Sequence, residues 1–229
     1  MRHELLFVTQ VAPYTDGPAG AHGVLDQAEL AFIEIAALHG LKAKRVRDVR
    51  DISPGELLDA QVLALFPIGE TPWTDQQRQA IVEHVQQGRL GVCAIHSATD
   101  ACHEWPAYGD IVGARFDGHP WTQDFTIDVL DTEHPACAHL GDSWMWHDEV
   151  YQFRDLRDDA HVLLRVRDGE LDFDAPGARP PSFGYPLAWT FCEGKGRVFS
   201  TSLGHFPGAW ESPVYLQHVS GGLGWVLNG

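Results

Sequence analysis

The chain of 229 residues carries 32 acidic and 16 basic residues, and 44% of its residues are hydrophobic. This length and apolar content suffice for one α/β domain with a large core. The resulting net charge of −16 argues against a nucleic-acid-binding surface, which needs lysine and arginine to neutralise phosphates. No apolar run reaches the roughly 18 residues that a membrane-spanning helix requires.

The sequence predicts a cytoplasmic protein. Its first residues lead directly into the strand-like run Leu5-Leu6-Phe7-Val8, without the layout of a signal peptide. The four cysteines contain no CxxC pair, and reduced thiols are the default in a chain of this length. We therefore expect no disulfide framework, no membrane partner and no nucleic-acid partner, with a homodimer as the default oligomer.

Strand and helix patterns alternate four times in the first hundred residues. Apolar runs predict strands at 4–9, 41–46, 62–66 and 90–95. Helices are predicted at 24–38, from the capping box Ser53-Pro54-Gly55-Glu56 onward, and from Thr74 to about Gln87. This alternation predicts a parallel sheet with right-handed crossovers.

Beyond about residue 115 the long helices disappear. Strands are predicted at 125–129, 161–166, 187–192 and 197–201, the last two joined by the turn Glu193-Gly194-Lys195-Gly196. Residues 168–182, rich in acids and prolines, are predicted as an exposed loop, and a final helix is predicted over 213–227. With no internal repeat and no linker, we expect one domain over residues 1–229.

Two histidines follow predicted strands. The apolar run 90–95 ends abruptly at His96, and the strand at 197–201 is followed by Ser202-Leu203-Gly204-His205. The carboxyl ends of parallel strands are where open sheets bind ligands. We therefore expect His96 and His205 in one pocket, as acid/base groups or as metal ligands.

Two adjacent acids, Asp148 and Glu149, lie on a strand-like segment. Neighbouring side chains on a strand point to opposite faces. One carboxylate is therefore expected in the site and the other in solvent. A carboxylate facing a histidine is sufficient for proton transfer and is also half of a metal site.

Five further residues are candidate substrate-binding groups. His22 and His119 lie in loops expected near the same sheet edge. Asp100 and Arg115 can bind ligand hydroxyls, and the indole of Trp121 can stack on a sugar.

Several blocks, in order along nearly the whole chain, resemble the ThuA-like (trehalose-utilisation) family. They are Ile95-His96-Ser97-Ala98-Thr99-Asp100, Trp105-Pro106-Ala107-Tyr108, residues 111–120, His134-Pro135, Asp148-Glu149-Val150-Tyr151, Pro186-Leu187-Ala188-Trp189, residues 194–199 and Leu203-Gly204-His205. The resemblance implies a three-layer flavodoxin-like fold of the class I glutamine amidotransferase-like superfamily, with a mostly parallel central sheet. It also implies a role in the metabolism of oxidised (3-keto) disaccharides, and it favours Glu149 as the inward acid.

The chain departs from the amidotransferases of that superfamily at two positions. They place a cysteine nucleophile after a central strand, where this chain has His96. They also carry a late His-Pro-Glu, where this chain reads His205-Phe206-Pro207. A thiolate nucleophile needs a cysteine beside its base, so glutamine hydrolysis is not expected.

Together with these histidines, the resemblance implies a carbohydrate enzyme that acts on a 3-keto disaccharide or glycoside. The catalytic acid/base residues are His96, His205 and Glu149, without a cofactor. One alternative is a non-catalytic sugar-binding module or accessory partner of a sugar oxidoreductase. A serine hydrolase would depend on Ser97, which lacks the G-x-S-x-G context.

The other alternative is a metal-dependent sugar lyase or hydrolase. A divalent transition metal would need three or four ligands from His22, His96, His119, His205 and Glu149. No HxH or HExxH spacing supports such a site. The metal interpretation thus depends on tertiary structure, and no metal ligand is assigned from the sequence.

Overall fold

A computed structural model of the chain describes residues 4–14 and 23–228. The strands are β1 (Glu4–Val8), β2 (Lys42–Val46), β3 (Ala60–Leu65), β4 (Gly91–Ile95), β5 (Ala114–Phe116), β6 (Trp121–Val129), β7 (Ser143–Val150), β8 (Phe153–Leu156), β9 (His161–Val166), β10 (Pro186–Glu193) and β11 (Gly196–Thr201). The helices are α1 (Leu25–Leu38), α2 (Pro54–Asp59), α3 (Asp75–Gln86), α4 (Pro106–Val112), α5 (Pro207–Glu211) and α6 (Pro213–Leu227). None of these helices has the length and apolar character needed to cross a membrane.

Within the described residues, nine strands form one sheet in the order β2-β1-β3-β4-β11-β10-β9-β6-β7. Pairing is parallel from β2 to β11 and antiparallel from β11 to β7. Strands β5 and β8 form a separate antiparallel pair. The predicted α/β fold is confirmed. Four of the five strands in the parallel part come from the alternating first half of the chain, and the fifth, β11, comes from near its end.

Three layers follow from side-chain alternation along the buried strands. Leu5 and Phe7 of β1 point to one face, where Phe7 stacks on Phe32 of α1 at a ring-centroid distance of 4.3 Å. Leu6 of β1 points to the other face and joins the cluster that contains Ile81 of α3. Helices therefore cover both faces of the parallel half, as a sheet of continuous apolar strands requires.

The helix starts confirm the capping signals in the sequence. The Ser53 side chain accepts a hydrogen bond from the backbone N–H of Glu56, and the Glu56 carboxylate accepts one from the backbone N–H of Ser53. Thr74 and Gln77 form the same reciprocal pair at the start of α3. Such boxes satisfy the backbone N–H groups that a helix start leaves without intrahelical partners.

The long hairpin of β6 and β7 is the main feature that the sequence prediction left incomplete. Only Ile127–Val129 of β6 pair with β9, so most of the hairpin extends beyond the sheet. There Trp146 of β7 stacks on Tyr215 of α6, with ring centroids 5.8 Å apart. The hairpin thus folds over α6 and carries the end of β7 back toward the carboxyl ends of β4 and β11.

Candidate active site

His96 begins a short 3-10 helix directly after β4, with a strained backbone. Its φ of +46° is one of two positive values among the non-glycine residues that the structure describes, the other being Cys102. Such conformations are costly for a residue with a Cβ and concentrate at functional sites. The buried imidazole is fixed because its Nδ1–H donates to the carbonyl oxygen of Ser202, 2.7 Å away. In the neutral ring, the lone pair is then on Nε2.

His205 follows β11 and faces His96. The distance between His96 Nε2 and His205 Nδ1 is 3.1 Å. The preceding Gly204 has a φ of +117°, and a Cβ there would lie 2.4 Å from the hydroxyl of Tyr215. Glycine is therefore required for the turn that presents His205. About a quarter of the His205 side chain is exposed, so a ligand can reach it.

Glu149, near the end of β7, completes a cluster of three side chains. Its Oε2 lies 3.2 Å from His205 Nδ1 and 3.6 Å from His96 Nε2. Its Oε1 lies 3.5 Å from Nδ1 of His119, which is about half exposed at the rim. The sequence-predicted catalytic residues thus meet, and Glu149 joins them to one predicted substrate-binding residue.

The neighbouring Asp148 corrects the expectation of one solvated acid. It is fully buried, and both carboxylate oxygens accept two hydrogen bonds. Oδ2 accepts from the backbone N–H of Gly204 (2.8 Å) and from the indole of Trp146 (3.1 Å). Oδ1 accepts from the backbone N–H groups of Glu149 (2.9 Å) and His205 (3.2 Å). Its side chain is buried because it ties β7 to the loop that presents His205.

Tyr151 is the site residue that sequence reasoning missed. Its hydroxyl lies 2.9 Å from Nε2 of His96, and the side chain is buried against Phe116. The signal was the spacing of Glu149 and Tyr151, because residues two apart on an extended segment share a face. The Tyr151 hydroxyl therefore contacts the same nitrogen of His96 that faces His205 and Glu149.

The charges of the cluster act on the pKa values of its members. Burial alone lowers the pKa of His205, but the hydrogen bond and negative charge of Glu149 raise it above its usual value overall. Burial raises the pKa of Tyr151 well above 10, and the charge of Glu149 adds to this effect. Burial also raises the pKa of Asp148 against the opposing effect of its four hydrogen bonds. Tyr151 is therefore a neutral hydrogen-bond donor, while His205 readily carries a proton.

The other candidate substrate-binding residues divide into two groups. Asp100 accepts hydrogen bonds from Tyr14 and His103, each at 3.1 Å, and its charge also acts on the buried Tyr151 nearby. His22 lies outside the described residues. Asp100 and His119 therefore border the cluster.

Arg115 and Trp121, also expected to bind substrate, have the following contacts. The Arg115 guanidinium donates to the Pro106 carbonyl oxygen and to the Asp110 carboxylate, both at 2.9 Å, on the two-stranded sheet. Trp121 is 4% exposed, and its indole N–H donates to the Asp172 carbonyl oxygen at 2.9 Å. The Arg115 guanidinium is thus held by ion pairing, and the Trp121 indole is packed in the core.

The two cysteines near His96 in the sequence lack the features of activated nucleophiles. Cys93 is fully buried inside β4, and burial raises its pKa. Burial also raises the pKa of Cys102 to about 11. A reactive cysteine needs the opposite shift, toward a thiolate at neutral pH.

Comparison with known proteins places the chain in a family. A family model described as "ThuA: Trehalose utilisation" matches residues 13–226. The chain belongs to the ThuA family. No curated protein matches this ThuA family chain.

Solved structures share the fold. A ThuA-like protein from Bacteroides uniformis is 22% identical, with a TM-score of 0.73 over 98% of this chain and 91% of that one. A ThuA-like protein from Parabacteroides merdae is 19% identical, with a TM-score of 0.75 over 100% and 91% of the two chains. PurLQS from Thermotoga maritima is 12% identical, with a TM-score of 0.55 over 100% and 99%. The fold is thus that of the ThuA-like and glutamine amidotransferase-like proteins.

Proposed function

We propose that this ThuA family chain is a carbohydrate enzyme that acts on an oxidised, 3-keto disaccharide or glycoside. The observation that supports the proposal is the convergence of His96, His205 and Glu149 within 3.6 Å at the carboxyl edge of the sheet. Two imidazoles and a carboxylate at this distance provide groups that take up and release protons near neutral pH. The family description, trehalose utilisation, supports a disaccharide, and the ketone at C3 is part of our proposal.

The reaction we propose is an elimination. A ketone at C3 of the sugar makes the C2–H bond acidic. A base removes that proton, the electron pair forms a C1=C2 double bond, and the C1–O glycosidic bond breaks. The departing oxygen takes up a proton, so the products are the alcohol and an unsaturated keto sugar, which adds water to give the free 3-keto sugar.

The positions of the side chains in the cluster support a role for each of them in this elimination. His205, which is partly exposed, serves as the base in its neutral form, with Glu149 stabilising the imidazolium that forms. His119 contacts the other oxygen of the same carboxylate and protonates the departing oxygen. The Tyr151 hydroxyl and the buried His96 ring orient the ketone end of the sugar. A sugar oxidoreductase must supply the ketone and is the partner we propose. The cytoplasmic location and the homodimer stay predictions.

The test is incubation with a 3-keto disaccharide, with the unoxidised disaccharide as control, followed by NMR. We expect cleavage of the keto sugar alone, and a loss of turnover of about 10²- to 10⁴-fold in His205→Ala. His147→Ala is the matched control, since His147 on β7 is half exposed and pairs with Asp124 outside the cluster. Affinity for the sugar without turnover would favour the sugar-binding alternative. The absence of both affinity and turnover would overturn the proposal.

A further inference from the structure

The three atoms that meet in the cluster form a nearly equilateral triangle. Its sides are 3.1 Å from His96 Nε2 to His205 Nδ1, 3.2 Å from His205 Nδ1 to Glu149 Oε2, and 3.6 Å from Glu149 Oε2 to His96 Nε2. A point about 2 Å from all three atoms exists near its centre, which matches the bond length of zinc to imidazole nitrogen and carboxylate oxygen. The dimensions of the triangle are therefore those of three ligands on one face of a metal ion.

The surroundings orient these atoms as a metal site requires. A metal-binding histidine donates its other ring N–H to a carbonyl or carboxylate, which fixes the tautomer. His96 does so through Nδ1–H to the Ser202 carbonyl oxygen at 2.7 Å. Asp148 holds the backbone of both Glu149 and His205 through hydrogen bonds of 2.9 and 3.2 Å. One buried carboxylate thus positions two of the three ligands.

We propose that His96 Nε2, His205 Nδ1 and Glu149 Oε2 bind a divalent transition-metal ion. Two imidazoles and one carboxylate suit zinc, iron and cobalt, and three ligands on one face leave positions open for a substrate. The substrate class rests on the function proposed above. A 3-keto sugar offers the ketone oxygen and an adjacent hydroxyl, two oxygens spaced to bind one ion.

A bound ion would change the roles of the histidines, while the overall elimination would stay the same. A bound ion would supply a Lewis acid for the negative charge that develops on the ketone oxygen when the C2 proton leaves. The two imidazole lone pairs are then engaged by the ion. His119, half exposed and 3.5 Å from Glu149 Oε1, would then replace His205 as the base, take the C2 proton and pass it to the departing oxygen.

The experiment measures binding of Zn²⁺ and Co²⁺ to the full chain after treatment with a chelator, by calorimetry and by elemental analysis. We expect one ion per chain. Glu149→Gln and the partly exposed His205→Ala should weaken binding by more than about 100-fold. Circular dichroism establishes that each variant is folded. His147→Ala is the matched control, because His147 and Asp124 form a histidine–carboxylate pair with no third ligand among the described residues. This variant should bind the ion normally.

Turnover of a 3-keto disaccharide, measured on the same samples, separates this proposal from the function it rests on. Binding of one ion, with turnover lost in the stripped chain and restored by the ion, supports both. Binding of one ion without turnover supports the metal site and overturns the proposed function. Turnover by a stripped chain that binds no ion overturns the metal site alone. Equal binding by Glu149→Gln, His205→Ala and the original chain also overturns it.

Discussion

The parallel and antiparallel halves of the sheet contribute differently to the site. The parallel half, β2-β1-β3-β4-β11, presents His96 and His205 at its carboxyl edge, as expected for strands of this kind. The antiparallel half contributes Glu149 from β7, the outermost strand in the sheet order, and Tyr151 from the residues directly after it. That strand reaches the site because the β6–β7 hairpin leaves the sheet and folds over α6. The site is therefore an interface between a rigid edge and a folded-over hairpin.

Breaking the contact between the halves should give the largest effect. Glu149→Ala and His205→Ala remove one partner from each half, and each should lower kcat for a 3-keto disaccharide by about 10²- to 10⁴-fold. Because the two groups act as one unit, the double variant should lose little more than either single variant. Steady-state kinetics on all three proteins measures this. Losses that multiply in the double variant would contradict a shared role.

The contact between the halves also depends on pH through His218 of α6. Its Nδ1 lies 2.8 Å from the Ala136 carbonyl oxygen, which precedes β7, and its Nε2 lies 3.3 Å from the Thr201 hydroxyl at the end of β11. Complete burial lowers its pKa to about 4 from the usual 6.5. The unfolded chain takes up a proton below pH 6.5 and the folded chain does so only near pH 4, so stability from this group is lost as pH falls between these values.

The expected loss from His218 is about 3 kcal/mol in the free energy of unfolding between pH 7 and pH 4. Urea unfolding at several pH values measures it. In His218→Gln this part of the pH dependence should disappear, whatever the stability of the variant at pH 7. An unchanged pH profile would show that the buried ring does not titrate as the structure indicates.

Removal of the Asp148 charge sharpens the comparison because this carboxylate ties the halves together without reaching the ligand. Each oxygen accepts two hydrogen bonds, so the amide nitrogen of Asp148→Asn must face two donors wherever it lies. We expect a loss of about 2 kcal/mol in the free energy of unfolding. Turnover should fall through kcat as His205 and Glu149 lose their alignment. Unchanged stability and unchanged kcat together would argue against the tie.

The smallest effect is expected within the parallel half alone. Thr74→Ala removes the side-chain cap of α3, which lies away from the cluster. It should cost about 1 kcal/mol in the free energy of unfolding and leave kcat unchanged. Denaturation and turnover measurements on the same preparation check both parts. A fall in kcat would mean that turnover at the site depends on the stability of the whole parallel half.

The same two halves differ in how far the sequence predicts them. Apolar runs and capping boxes predict β1 to β4 and α1 to α3 closely, because each pattern is local. Strand β7 alternates exposed and partly buried positions and then ends in three buried ones. Its path over α6 depends on contacts such as that of Trp146 with Tyr215, far apart in sequence. Local patterns contain no information on that path.

The site itself could be predicted in part for the same reason. His96 and His205 follow strands, so their position at the carboxyl edge is a local inference. The burial of Asp148 could not be predicted, since its four hydrogen-bond donors come from two distant segments. The burial of Trp121 could not be predicted either, because an aromatic side chain beside a loop histidine has the same local pattern in a core as in a binding wall.

The most direct test of the central claim is solvent exchange at the carbon next to the ketone. A 3-keto disaccharide is incubated with the protein in D₂O, and NMR follows deuterium at C2. The account predicts that deuterium enters at C2 with the original chain and with His147→Ala, and that this entry is lost in Glu149→Gln and His205→Ala. Cleavage of the sugar without deuterium at C2 would contradict it.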